Sequence, residues 1–313
     1  MRELQEKDIL FGAAYYPEYM PYDRLQEDIA MMQKAGMNTI RIAESTWSTL
    51  EPAEGVYDFS YIDKTLAAAE EAGMYVIIGT PTYAIPSWLE KKCPEVMVFD
   101  GYSRKKYGKR QIMDIVHPVF RKCAENVICK LLEHTANVSC VIGFQIDNET
   151  KHYGTASPQV QRMFVEYLKT KFHTTEQLNE VFGLRYWSNS ISDWSDFPDM
   201  AGCIHGGLAC EFAKFQRSLA AEYLVWQSEL VKKYKRQDQF ITHNFDFEWK
   251  KFGADIAQDG YSYGVQPDIN HYEASKAVTI AGTDIYHPTQ DGLTGAEIGF
   301  GGDSIRTLKD DAY

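Results

Sequence analysis

Residues 141–150, VIGFQIDNET, run an apolar segment into Gln145, Asp147, Asn148 and Glu149. Burying such groups without partners is costly, so a buried strand that ends on them has either structural partners or a chemical purpose. An amide beside a carboxyl group at the C-terminal end of a strand suits chemistry on sugars. The carboxylic acid can protonate a departing glycosidic oxygen, and the amide can hold the sugar 2-hydroxyl through a hydrogen bond that strengthens in the transition state. On this reading Glu149 is the acid and Asn148 its partner on the sugar. The acid must keep its proton near neutrality, by burial or by a second carboxylate close by. The structural alternative is that Asn148 and Glu149 cap the next helix, a position that favours Asn.

Short apolar runs alternate with longer helical stretches along the chain. The strand candidates are ILFGAAYY (9–16), MNTIRIAE (37–44), MYVIIGTP (74–81), VSCVIGFQID (138–147), QFITHNFDF (239–247) and ADIAQDGYSY (254–263). Amphipathic helices lie between them: Leu25, Ile29 and Met32 share one face before Gly36, and Ile62, Leu66 and Ala69 share another before Gly73. Strands apolar on both faces, each followed by a helix, indicate a helix-covered parallel sheet. The first strand-to-helix junction, YYPEYMPYD, lacks G-x-G-x-x-G, whereas Tyr16, Glu18, Glu44, Trp47, Thr80, Glu149 and Asn244 end the strands. That placement favours a TIM (β/α)8 barrel, whose shared site lies at the C-terminal ends of its strands, over an open doubly wound sheet.

The expected organisation is one catalytic barrel domain over residues 1–313, with an aromatic-rich insertion at about 173–210 that passes over the mouth and returns through a long helix. Six strands are counted up to Tyr263, and residues 278–287 read equally as a strand or as the end of a helix. Two more complete units do not fit, so the barrel is expected to be incomplete at the C-terminus of this chain.

With 313 residues, 44% hydrophobic and 13% aromatic, the chain can bury a large core. A net charge of -12 argues against nucleic acid or anionic membrane as partners and leaves small neutral substrates open. No apolar segment approaches the roughly 18 residues of a membrane span, and the start MRELQEKDIL has no apolar leader core, so a cytoplasmic location is expected. The six cysteines form no C-x-x-C pair and read as packed, reduced thiols. H-E-x-x-H, G-x-x-x-x-G-K-[ST] and G-x-S-x-G are all missing, which removes the main support for metalloprotease, P-loop and α/β-hydrolase readings.

Five segments, YYPEY (15–19), EDIAMMQKAGMNTIRIAESTWSTLEPAEGVYDF (27–59), TPTYAIPSWL (80–89), YGKRQ (107–111) and FQIDNE (144–149), resemble in order and spacing the signatures of glycoside hydrolase family 42 β-galactosidases. A looser likeness continues through LNEVFGLRYWS (178–188) to QDGYS (258–262). The resemblance implies a (β/α)8 barrel that hydrolyses terminal non-reducing β-D-galactosyl residues with retention, using Glu149 as general acid/base and no cofactor. It implies that Asn148, Arg110, Trp187 and Tyr261 bind the sugar, Arg110 through its fork of donors and the aromatic residues against an apolar sugar face. The implied partners are a galactoside or galacto-oligosaccharide substrate and other copies of the chain, as a homotrimer. Some relatives carry a C-x-C-x-x-C zinc cluster after the acid/base; here residues 150–159 read TKHYGTASPQ, and no metal is expected.

Retention also requires a nucleophilic glutamate. The resemblance puts it at the end of strand seven, expected a few positions past Tyr313, so the chain is read as the N-terminal portion of the barrel and as catalytically incomplete. Glu273 and Glu297 match no nucleophile motif. Two other readings stand beside this one: a galactoside-binding protein or scaffold without catalysis, and another retaining barrel glycosidase acting on glucosides, xylan or cellulose.

Overall fold

Helical periodicity interrupted by short β-branched runs produces the expected alternation. The computed structural model describes residues 9–108, 112–203, 205–247, 268–285 and 295–309. In order, the chain forms β1 (Gly12–Ala14), α1 (Leu25–Lys34), β2 (Thr39–Ile42), α2 (Trp47–Leu50), α3 (Ser60–Glu71), β3 (Tyr75–Gly79), α4 (Ser87–Lys92) and α5 (Pro118–Thr135). There follow β4 (Val141–Gln145), α6 (Pro158–Phe172), α7 (Thr175–Phe182), α8 (Gly206–Lys232), β5 (Phe240–Phe247), α9 (His271–Ser275), β6 (Ile280–Ile285) and α10 (Ala296–Arg306).

All neighbouring strands are parallel, and their order in the sheet is β1-β2-β3-β4-β5-β6. A doubly wound sheet reverses its strand order at a switch point; here each strand simply adds beyond the last, as in a (β/α)8 barrel. The fold is that barrel, incomplete, with six strands among the described residues. Within the segment 278–287 the described residues contain a strand: α9 stops at Ser275, and β6 pairs with β5 from Thr242↔Ile280 to Phe247↔Ile285, while residues 286–287 lie outside the described residues. The candidate strand 254–263 lies outside the described residues.

The two faces of the sheet differ more than the sequence reading allowed. Outward residues Ile40, Ile42, Val76, Ile78, Phe144 and Phe245 are fully buried in the hydrophobic core that includes the helices. Each such side chain stabilises the fold by roughly 1.5–3 kcal/mol. The alternate positions instead bring Arg41, Gln145, Asn244 and Asp284 to an inner cavity of about 320 Å³. The inner face is therefore the more polar one, with Ile77 an apolar exception, and the period-two pattern of TIRI (39–42) already contained that alternation.

Helix ends follow local chemistry. Gly36 and Gly73 take left-handed φ of +80° and +68° just past α1 and α3, which glycine accommodates without steric cost. Ser157 caps α6 by accepting from Val160 N–H, and Thr174 caps α7 by accepting from Gln177 N–H. Between α7 and α8 the chain runs through irregular turns, and Met200 N–H is tied to Gln161 Oε1 on α6 at 3.2 Å. The six cysteines are unpaired thiols, of which Cys123 and Cys140 are buried. Among the described residues no helix is long and apolar enough to cross a membrane.

Gly79 marks where β3 meets the exit of β2. A Cβ there would stand 2.5 Å from Glu44 Cβ and 2.8 Å from its backbone nitrogen, too close for any adjustment of a side-chain tip to relieve. Gly79→Ala is therefore expected to destabilise the protein by about 1–3 kcal/mol, as overpacked cores do. A lowered urea midpoint at unchanged slope would register it.

Candidate active site

The exits of β2 and β4 use the same device. Alternation along a strand would send consecutive residues to opposite faces. After β2, Ala43 adopts φ 86°, and after β4, Asp147 and Glu149 adopt φ 48° and 45°. Left-handed backbone is costly for residues with a Cβ, on the order of 1 kcal/mol or more each. It breaks the alternation, so that Glu44 is buried after β2 and Asp147, Asn148 and Glu149 are all buried after β4, at 5%, 6% and 8% exposure.

The turn after β4 is held from three sides. Asp147 N–H donates to Thr80 Oγ1 at 2.6 Å, Thr82 Oγ1 donates to Asp147 Oδ1 at 2.6 Å, and the Thr150 hydroxyl donates to Asp147 Oδ2. Gln227 on α8 joins the two β3-side threonines, accepting from Thr80 Oγ1 at 2.6 Å and donating to Thr82 Oγ1 at 2.9 Å. Burial pushes Asp147 up to about 6, against the pull of Thr150 and Thr82. From β5, His243 Nδ1 lies 2.7 Å from Ile146 O, and His243 Nε2 accepts from Thr150 N–H at 3.3 Å. A carbonyl on one side and an N–H on the other require a neutral imidazole protonated at Nδ1. Burial enforces this, lowering His243 to about 4.

From this turn a chain of polar contacts crosses the inner face. Asn148 Oδ1 accepts from Gln145 Nε2 at 3.1 Å and from Asn244 Nδ2 at 2.8 Å. Asn244 Nδ2 also donates to Asp284 Oδ2 at 2.7 Å, and burial together with the neighbouring Glu149 carboxyl pushes Asp284 up to about 7. On the other side, Arg41 donates to Gln145 Oε1 at 2.8 Å and to Glu44 Oε1 at 3.0 Å, and Tyr16 OH donates to the same Glu44 oxygen at 2.5 Å. Tyr83 OH reaches Glu149 Oε2 at 3.4 Å. Arg41 Nε, Glu44 Oε2 and Asn244 Oδ1 are buried without hydrogen-bond partners among the described residues, one donor and two acceptors.

The structure thus brings Asn148 and Glu149 into one cluster and not to a helix cap, which Ser157 supplies to α6. Trp187 is placed differently. Its residue has φ 51°, its ring lies 5.6 Å from that of Tyr186, and at 73% exposure it shares no hydrogen bond or ring contact with the cluster. Arg110 and Tyr261 lie outside the described residues. Trp47 belongs to the core, its Nε1 donating to Glu51 Oε2 at 2.7 Å. Glu273 is an exposed-surface carboxylate bound to Lys276 at 2.6 Å. Sequence reasoning missed Asp284, His243 and Arg41; only the apolar-polar alternation within their strands hinted at them. Among the described residues no three His, Cys, Asp or Glu side chains converge to hold a metal ion.

The family model for β-galactosidases of glycoside hydrolase family 42 matches residues 14–311. A β-galactosidase from Thermus sp. is 31% identical over 252 residues, covering 75% of this chain and 38% of its own length. The crystal structure of a β-galactosidase from Rahnella sp. superposes with a TM-score of 0.82 at 26% identity, covering 96% of this chain and 43% of the other. A catalytic mutant of a family 42 β-galactosidase from G. stearothermophilus superposes with a TM-score of 0.83, also at 26% identity, over 95% of this chain and 43% of the other. The chain therefore spans about 38% of the length of the curated relative it matches.

The clamp on the turn has a pH consequence. An unfolded imidazole takes up a proton near 6.5, whereas folded His243 refuses it until about 4. Its contribution to stability is full above that higher value and is lost as pH falls between the two. In an NMR titration the His243 ring nitrogens should hold the signature of the Nδ1–H tautomer from pH 7 down to about 5, while an exposed histidine titrates near 6.5.

Proposed function

This chain belongs to glycoside hydrolase family 42, and from that membership we propose that it serves a retaining β-galactosidase with Glu149 as its general acid/base. The observation that carries the reading is the placement of Glu149: buried beside Asn148 at the exit of β4, with Tyr83 OH 3.4 Å from its Oε2. Burial disfavours the charged form of a carboxyl group, which suits a proton donor.

In the first step Glu149 gives its proton to the glycosidic oxygen as the bond from that oxygen to the anomeric carbon breaks. A nucleophilic carboxylate bonds to the same carbon from the opposite face, forming a galactosyl-enzyme and releasing the aglycone. In the second step Glu149, now a carboxylate, takes a proton from water, and the resulting hydroxide oxygen displaces the nucleophile to free galactose. Asn148 serves the sugar 2-hydroxyl. The unpaired donor on Arg41 and the unpaired acceptors on Glu44 and Asn244 suit a ligand rich in hydroxyls. Arg110, Trp187 and Tyr261 complete the galactose contacts in this reading, and residues 1–313 form one catalytic barrel domain with its excursion at 173–210.

In the complete gene product, Glu149→Gln is expected to lower kcat/KM for an alkyl β-galactoside by roughly 10²–10⁴-fold, the range of general acid catalysis. A dinitrophenyl β-galactoside, whose leaving group needs no proton, should suffer much less in its first step. Equal loss on both substrates would exclude Glu149 as the acid. Higher rates on glucosides or xylosides than on galactosides would exclude the substrate assignment.

A further inference from the structure

Gln227 lies in α8, fully buried, and the reaction as proposed above assigns it no role. Its amide spans two hydroxyl groups on the segment that leaves β3: Oε1 accepts from Thr80 Oγ1 at 2.6 Å, and Nε2 donates to Thr82 Oγ1 at 2.9 Å. Both hydroxyls are bonded in turn to Asp147, Thr80 accepting its N–H and Thr82 donating to its Oδ1, each at 2.6 Å. The four residues close a ring of hydrogen bonds whose directions are fixed. A backbone N–H can only donate, so the one proton of Thr80 is directed to Gln227 Oε1. The amide nitrogen then faces Thr82, whose own proton goes to the Asp147 carboxyl group. An amide meets both demands because it offers an acceptor and a donor side by side without carrying charge.

The ring adjoins the proton donor at two points. Along the β4 exit, Asp147 stands two residues before Glu149, and left-handed backbone at both positions accompanies the burial of Asn148 and Glu149 together. Such backbone persists only where its surroundings hold it. On the β3 side, Pro81–Tyr83 form a single 3-10 turn that carries Thr82 and Tyr83, and Tyr83 OH lies 3.4 Å from Glu149 Oε2.

We propose that Gln227 is a positioning residue for the proton donor: by closing this ring it holds the β4 exit against the β3 exit and so keeps the Glu149 carboxyl group aimed at the glycosidic oxygen. Its role is exerted through the two threonines and Asp147. With the amide removed, each threonine hydroxyl loses a partner inside a buried site, and the directions of the remaining bonds are no longer fixed. The turn is then free to relax toward the alternation of an ordinary strand, which swings Glu149 away from its target. The loss falls on proton delivery.

This inference rests on Glu149 being the acid/base. The test is steady-state kinetics of the complete gene product and of its Gln227→Met, Thr82→Val, doubly substituted and Glu149→Gln variants, with an alkyl and a dinitrophenyl β-galactoside. Methionine keeps the length of the side chain and replaces the amide by a thioether, a weak acceptor that cannot donate. For the alkyl substrate, Gln227→Met should lower kcat by roughly 10–100-fold with KM within about twofold of the parent, the pattern of lost transition-state alignment. The dinitrophenyl substrate, whose leaving group needs no proton, should lose far less in kcat/KM. Because the ring acts as a unit, the double variant should lose little more than the worse single one. Thr82→Ser, which restores the hydroxyl, should recover most of what Thr82→Val loses. Parent kinetics in Gln227→Met, equal losses on both substrates, or additive losses in the double variant overturn the proposal. If Glu149→Gln itself spares the alkyl substrate, the acid/base reading fails; if Glu149→Gln is crippled on it while Gln227→Met keeps the parent rates, only this inference fails. Should Gln227→Met not fold, Gln227→Asn, which keeps the amide on a stem too short to reach both threonines, is judged by the same outcomes.

Discussion

Asp147, Asn148 and Glu149 are buried together at the exit of β4 and need polar partners there, and the surrounding structure is arranged around that constraint. Asn148 comes from the exit of β4 and Asp284 from the end of β6, strands that are not neighbours in the sheet. Asn244 on the intervening β5 holds both sides of the gap through a single amide nitrogen. On the other side of the face Arg41 is engaged by Gln145 and Glu44.

Holding a proton at a defined point requires a rigid frame, and the frame here is polar. Three consecutive buried residues after β4, two of them left-handed, would be an unfavourable turn in isolation. Threonine hydroxyls, a neutral histidine and Gln227 satisfy its backbone and carboxyl groups from β3, β5 and α8. The contribution of α8 explains what the irregular excursion before it achieves: the chain leaves the sheet after α6 and returns as a 27-residue helix. That helix places Gln227 under the β3 and β4 exits, and its Gln216 donates to Thr155 O at 2.8 Å, tying down the far end of the same loop. A buried network of this kind favours one arrangement over its neighbours, because each bond left unmade leaves a desolvated polar group.

The inner and outer faces of the sheet divide the work. Outward side chains such as Phe144 and Ile78 supply the burial that holds strands against helices. Inward positions are mostly small or polar, from Gly12 and Ala14 through Gln145 to Asn244, with Ile77 an apolar exception, and they line a cavity. Stability and chemistry are thus assigned to alternate residues of the same strands.

Much of this was legible in the residues themselves. The helical spacing of Leu25 and Ile29, the glycines that end α1 and α3, and the strand runs before them are local properties, and local propensity survives folding when the tertiary structure agrees with it. The Asn148–Glu149 pair could be singled out because amide and carboxyl side chains at the end of an apolar run are conspicuous in any context. Asp284 could not. It lies in a segment that read equally as helix or strand, and its link through Asn244 to Asn148 exists only when β4, β5 and β6 lie side by side. His243 and Arg41 were hidden for the same reason, since a lone histidine or arginine within an apolar strand has no meaning until its partners are known. The sequence by itself determined which elements form and which side chains are able to move a proton. Only the tertiary structure decided which of them meet, because hydrogen bonds and charge coupling act over a few ångströms of space and take no account of distance along the chain.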